Sequence, residues 1–221
     1  MQRQEGSPTS EDNAAAAIFL PMWSSYNRPS RIVTLGHYYP RRQIDTANTI
    51  LRESGGGYSA VNPDNPNNPK AMRQNLGWTT LINALSADRR WPIKRLYEML
   101  DPMLQPGISI AVVPTHMSYQ AFWPMRTLAR QLAAHERSDA TSCLVRHTTV
   151  KRITFGGPST RELHRQTIRL EHPELVAGAN VLLLDDIAKS GSSLAACRDI
   201  LLDAGAAVVQ AMAIGRVIVE G

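Results

Sequence analysis

The chain has 221 residues, 43% of them hydrophobic, and carries 24 Lys and Arg against 19 Asp and Glu, a formal charge of +5. That length fits one domain with extensions or two small ones, with enough apolar residues for a real core. Two cysteines, Cys143 and Cys197, outside any CxxC pair argue against a zinc knuckle or disulfide framework, and the modest basic excess permits an anionic partner without requiring nucleic acid.

Residues 1–30 read as a flexible N-terminal tail, because MQRQEGSPTSEDN is polar and rich in turn formers. The apolar patch AAAAIFLPMW at 14–23 is too short for a membrane span, is broken by Pro21 and follows Glu11 and Asp12 rather than basic residues. It is expected to dock on the body or on a protein partner. The chain as a whole is expected to be cytoplasmic, without membrane association. RIVTLGHYY at 31–39 is β-branched and aromatic and predicts a strand. IDTANTILRE at 44–53 puts Ile44, Ala47, Ile50 and Leu51 on one helical face, and Gly55, Gly56 and Gly57 stop it. VNPDNPNNPK at 61–70, with three Asn-Pro steps, predicts an irregular surface loop. Helical spacing returns at 71–85 and 93–103, where Trp78 and Trp91 are expected in the core or at an interface. Residues 31–106 thus form a helical N-terminal region, or hood.

From Gly107 the pattern changes. ISIAVVP at 108–114, TSCLVR at 141–146, VLLLDD at 181–186 and AAVVQAMAIG at 206–215 are aliphatic strands. Helical patterns at 119–135, with Pro124 near the first turn, and at 192–205, closed by Gly205, alternate with them. Near-continuous aliphatic strands alternating with helices predict an α/β fold with a parallel, Rossmann-like sheet covered on both faces, over residues 107–221. Both cysteines sit in apolar patterns and are expected to be buried free thiols. His164 and His172 have no spacing that argues for metal and are expected at the surface.

The stretch VLLLDDIAKSGSSL carries the chemistry. Adjacent residues on a strand point to opposite sides, so Asp185 and Asp186 are not both packing residues, and burying either without a partner is costly. They belong at the carboxyl end of a strand, where parallel sheets bind ligands. Gly191 permits unusual backbone angles and close approach of a ligand, the serines supply hydroxyl donors, and the helix start supplies N–H groups and a positive dipole end. Together these make a phosphate cradle beside an acidic pair that suits sugar hydroxyls.

That combination resembles the motif with which type I phosphoribosyltransferases bind 5-phosphoribosyl 1-pyrophosphate (PRPP). The family pattern is a run of aliphatics, two acidic residues, an aliphatic, two or three small or hydroxyl residues, Gly, any residue, then Thr or Ser. Here Val181, Leu182, Leu183 and Leu184 are followed by Asp185, Asp186, Ile187, Ala188, Lys189, Ser190, Gly191, Ser192 and Ser193. The resemblance implies that Asp185 and Asp186 take the ribose hydroxyls, that Ile187 to Ser193 hold the 5′-phosphate, and that Mg²⁺ arrives on the pyrophosphate. Lys189 replaces the usual hydroxyl residue. Upstream, PTHMS at 114–118 is similar to the family's pyrophosphate loop, which points to Thr115 and His116, although the basic residue often found there is missing. The order of elements is similar to the competence-protein ComF branch, with STRELHRQ at 159–166 in the place of a mobile loop, but without that branch's zinc cysteines.

Residues 146–169 hold Arg146, Lys151, Arg152, Arg161, Arg165 and Arg169 against Glu162. Lys151, Arg152, Arg161 and Arg165 are the candidates to close over a departing pyrophosphate, with Phe155 to Pro158 as a hinge. The resemblance therefore implies a Mg²⁺-dependent transfer of phosphoribose to a base, with positioning and electrostatics in place of a covalent nucleophile. Two other readings stay open. One is a non-catalytic PRPP or nucleotide binder that regulates a partner. The other is an accessory protein in DNA uptake or phage defence, for which nucleic acid binding is allowed. An oligomer or a place in a complex is expected in either case.

Overall fold

The computed structural model describes residues 17–40, 69–87, 89–120, 123–150 and 160–218. The expected helix at 44–53, the glycine run after it, most of the Asn-Pro loop, the 155–158 hinge, Lys151 and Arg152 lie outside the described residues. In chain order the elements are β1 (Val33–Tyr38), α1 (Pro69–Ser86), α2 (Arg90–Leu100), β2 (Ser109–Val112), α3 (Pro124–Ala133), β3 (Ser138–Asp139), β4 (Leu144–Arg146), α4 (Arg161–Thr167), β5 (Ile168–Leu170), β6 (Asn180–Ala188), α5 (Ser192–Asp203) and β7 (Val208–Val217).

Five strands form one sheet in the order β1-β7-β6-β2-β3, with every pairing parallel. The aliphatic runs explain it, since a parallel sheet covered on both faces needs apolar side chains on both. Ile110, Val112, Leu182, Leu184, Met212 and Ile214 pack with Leu96 of α2 and Leu128 of α3. The intervening Ala111, Val181, Leu183, Ala211 and Ala213 pack with Leu194, Cys197 and Leu201 of α5. Pro124 opens α3, where its missing N–H costs nothing.

Three expectations change. Residues 141–146 do not add a strand to the parallel sheet. Asp139 accepts the Thr141 N–H at 2.9 Å and Ala140 O accepts the Cys143 N–H at 3.1 Å, a tight turn that redirects the chain. The sheet place goes to β3, and β4 pairs antiparallel with β5 in a separate ribbon. Residues 17–31 do not trail as a tail. Ile18 and Phe19 are buried, Phe19 bridges Leu104, and Asn27 Oδ1 accepts the N–H groups of Ile18 and Phe19 at 3.0 and 2.9 Å. This part of the apolar patch docks on the body. Finally, β1 is the edge strand of the main sheet beside β7, so this strand of the N-terminal region belongs to the same sheet as β2, β6 and β7. Trp78 packs against the core as expected, whereas Trp91 is 51% exposed.

Helix α1 crosses the β1–β7 pair where Gly36 and Gly215 sit opposite each other in register. A Cβ on Gly36 would lie 2.1 Å from the Trp78 ring, and one on Gly215 would lie 2.5 Å from Ile82 Cδ1. Thr79 Oγ1 donates to Asn75 O at 2.8 Å and accepts the Tyr39 N–H at 2.9 Å, fixing the helix to the strand end. Below the sheet, Arg137 pairs with Asp101 at 2.6 Å and donates to the carbonyls of Asp101, Leu104, Gln105 and Leu132. No described helix is long and apolar enough to cross a membrane.

Candidate functional site

The topology marks one crevice. After β2 the chain steps outward to β3, then returns past β2 to β6 and continues away to β7. The strand order reverses between β2 and β6, and open α/β sheets bind ligands at the carboxyl ends of strands at such a point. Asp185 stands there. Leu184 is in register with Val112, the Val113 N–H donates to Leu184 O at 2.9 Å, and the loop from Pro114 leaves the sheet beside the acidic pair.

Asp185 is 6% exposed, while Asp186 is half-buried. Asp185 accepts the Asp186 N–H at 3.0 Å and the Ser193 hydroxyl at 3.3 Å, and Asp186 accepts the Ile187 N–H at 2.7 Å. Burial and, after it, the neighbouring Asp186 charge push the Asp185 carboxyl well above the usual carboxylate range. The Asp186 N–H and the Ser193 hydroxyl pull the other way without winning. A buried carboxyl held in this way is poised to gain from a hydroxyl donor or a cation.

The loop from β6 to α5 follows. Ala188 is buried, Lys189 and Ser190 are exposed, and Gly191 takes a left-handed conformation with φ of 79° as the residue preceding α5. Gly191, at the N-cap, has no side chain to cap the helix. The Ser190 and Ser192 hydroxyls are 2.9 Å apart, and Ser190 Oγ accepts the Ser192 N–H at 3.3 Å. A Cβ on Gly191 would come within 2.4 Å of Ile32 Cδ1, which would have to shift, and the left-handed backbone itself favours glycine here.

Across the crevice, Thr115 donates to Gln120 Oε1 at 2.7 Å and its hydroxyl accepts the Met117 N–H at 3.2 Å. His116 O accepts the Val150 N–H at 2.9 Å, and Ser118 bonds Thr149. The loop at 114–118 is thereby tied to the chain after β4. Arg146 completes the tie. This residue, given only as part of a basic stretch by the sequence, is 3% exposed. Its Nε donates to Thr115 O at 2.5 Å, Nη1 to Thr167 Oγ1 at 2.6 Å, and Nη2 lies 3.2 Å from His164 Nδ1. Burial lowers its pKa, with Cys197 and then Asp185 acting against that shift. The signal in the sequence was the arginine ending an aliphatic strand, LVR.

His164 is buried, not at the surface as its spacing suggested. It lies on the inner side of α4, beneath Arg146. Arginine only donates, so Nδ1 accepts and the neutral ring carries its proton on Nε2. Burial and then the Arg146 charge lower the His164 pKa to about 4. The unfolded chain binds this proton near the ordinary value of 6.5 and the folded chain does not. Stability is therefore expected to fall as pH drops from about 6.5 to about 4. In His164→Gln that part of the acid slope should be missing, which melting curves across this window would show.

The cations expected in a mobile loop are placed differently. Residues 161–167 form helix α4, capped by Thr160, whose hydroxyl accepts the Leu163 N–H at 3.1 Å. Arg161 pairs with Asp199, and Arg165 with Asp203 at 2.8 Å and Asp199 at 3.6 Å, all on α5. Asp185, Asp186 and residues 187–193 lie on β6, its loop and the start of α5, and Thr115 and His116 lie on the loop that follows the neighbouring β2. Arg161 and Arg165 are instead committed to α5. Cys143 and Cys197 are buried free thiols as expected, the first pushed up to about 12 by burial.

No protein-family model matches the chain, and no curated protein matches it. The chemistry of the crevice therefore has to be read from its own residues.

Proposed function

We propose that the crevice between β2 and β6 binds a 5-phosphoribosyl compound, PRPP or a nucleotide, and transfers phosphoribose from PRPP to a nitrogen base. The observation that carries the reading is the Ser193–Asp185 hydrogen bond, which joins the first turn of α5 to a buried strand-end carboxylate. It links the loop and helix start that would hold a phosphate to the acidic pair that would accept sugar hydroxyls.

In this reading Asp185 and Asp186 accept the ribose hydroxyls, and the N–H groups and hydroxyls of Ala188 to Ser193 hold the 5′-phosphate. Thr115 and His116 face the pyrophosphate, with Arg146 holding their loop in place. Mg²⁺ would be held by the carboxylates of Asp185 and Asp186, oxygen donors of the type it takes, together with substrate oxygens. When bound, it neutralises charge on the leaving group. The C1–O bond breaks with its electron pair leaving on pyrophosphate, the base nitrogen supplies the pair for the new C1–N bond, and its proton passes to solvent. The protein's part is to orient ribose and hold the leaving anion.

The ion pairing of Arg161 and Arg165 with α5 favours a second reading, a PRPP or nucleotide sensor that binds without turnover. Calorimetric titration with Mg²⁺–PRPP, followed by a pyrophosphate-release assay over a panel of bases, separates the two. Binding with release on one base is the expected result. Binding without release across the panel leaves the sensor, and no binding of PRPP or any nucleotide overturns both.

A further inference from the structure

A second polar site lies elsewhere on the molecule. A cavity of about 690 Å³ opens between residues 25–34, α5 and β7, and none of residues 185–193 lines it. That size is in the range of small-molecule pockets. Four arginines line it, Arg28, Arg31, Arg198 and Arg216, and no carboxylate does. None of the four is ion-paired with a described carboxylate. Like-charged side chains gathered around one concavity without counter-charges give it a positive potential that an entering anion would lower.

The rim is built rather than loose. Gln210 is fully buried on β7; its Oε1 accepts the Arg28 N–H at 2.6 Å and its Nε2 donates to Arg31 O at 3.1 Å. Arg31 N–H also donates to Arg28 O at 2.9 Å, closing a turn. Arg198 Nη1 reaches from α5 to Pro29 O at 3.0 Å, which ties the same turn to the helix. The Nε of Arg198 is buried and has no hydrogen-bond partner among the described residues. A buried donor of this kind calls for an acceptor.

We propose that this cavity is an anion site, separate from the β2–β6 crevice, that takes a small molecule bearing two or more phosphoryl groups. Guanidinium forks match phosphate oxygens two at a time, and the excess of four positive charges over none negative suits an anion carrying several charges better than a single carboxylate. A concave pocket bordered by a turn also suits a compact ligand rather than an extended strand. The proposal does not rest on the phosphoribosyl reading of the other site. Ile32, which lines the cavity, also packs against Gly191 of the loop between β6 and α5.

Inorganic triphosphate is the probe, titrated calorimetrically into the full chain at fixed ionic strength. Arg198→Gln is expected to weaken binding about tenfold, the loss of one charge-assisted contact. Arg28→Gln with Arg31→Gln, at exposed positions that leave the fold intact, should weaken it further. Ser190→Ala with Ser192→Ala, in the cradle, should leave it within about twofold, below the loss of one hydrogen bond. The proposal is overturned if the arginine variants bind as the wild type does, if only the cradle variant loses binding, or if orthophosphate binds as tightly as triphosphate. It is also overturned if duplex DNA displaces the probe and binds with the steeper salt dependence of a nucleic acid surface.

Discussion

Asp185→Asn is expected to abolish binding of Mg²⁺–PRPP and, at the same time, to raise the melting temperature at neutral pH. The two effects share one cause. In the folded protein Asp185 is buried beside Asp186, and its pKa lies well above the ordinary 3.8. The unfolded chain ionises this group freely near that value. Stability is therefore lost as pH rises through the carboxylate range toward neutrality, the reverse of an ordinary salt-bridged aspartate. An amide removes the cost and keeps the contacts, because its oxygen accepts the Asp186 N–H and its nitrogen donates to Ser193 Oγ. A gain of about 1–2 kcal/mol, or about 2–8 °C, is the scale for relieving one such group in a chain of this size. Thermal melts from pH 4 to pH 8 check it, since the gap between variant and wild type should widen as pH rises. Equal or lower stability of the variant at neutral pH counts against the site's electrostatics, and undiminished PRPP binding counts against the site itself. A residue kept at the cost of stability is what a binding site looks like in a fold otherwise built for burial.

The second large effect is structural. Gly36→Ala is expected to destabilise the fold by about 3 kcal/mol, at the upper end for overpacking. The new methyl group would stand 2.1 Å from an indole carbon, and Trp78 is held by the helix rather than free to swing away. The backbone of β1 has to retreat from α1, straining the Thr79 bond to Tyr39. Trp78→Ala opens the space the methyl group needs, so in that background the same substitution should cost less than about 1 kcal/mol. Urea unfolding of the two single variants and the double variant measures the coupling. Strictly additive losses would show that the close approach of helix to strand has no energetic weight.

Patterns confined to one strand or helix were legible in the sequence. The aliphatic runs of β2, β6 and β7 and the amphipathic α3 announced an α/β sheet, because burial on two faces leaves a composition that no other setting requires. The acidic pair and Gly191 were legible for the same reason, since a carboxylate at the end of such a run and a glycine before a helix both break local rules. What depends on partners far along the chain was not. Arg146 and His164 look like members of a basic loop until the β4–β5 ribbon brings them under the 114–118 loop. Arg161 and Arg165 look free until α5 presents Asp199 and Asp203. The place of 141–146 was missed because a two-residue strand, β3, carries no periodicity, and the turn at Asp139 is decided by one side-chain bond.

The parallel pairing of β1 with β7 has a consequence for how the chain is made. Arg31 and Gln210, which meet at the start of this pairing, are 179 residues apart. During synthesis β1 emerges early and has no strand to join until β7 follows. Over that interval its hydrogen-bonding edge waits uncovered, and closing so long a loop is slow. Folding is therefore expected to finish in its own first strand, with a nascent state open to strand addition by other chains until the last pairing closes.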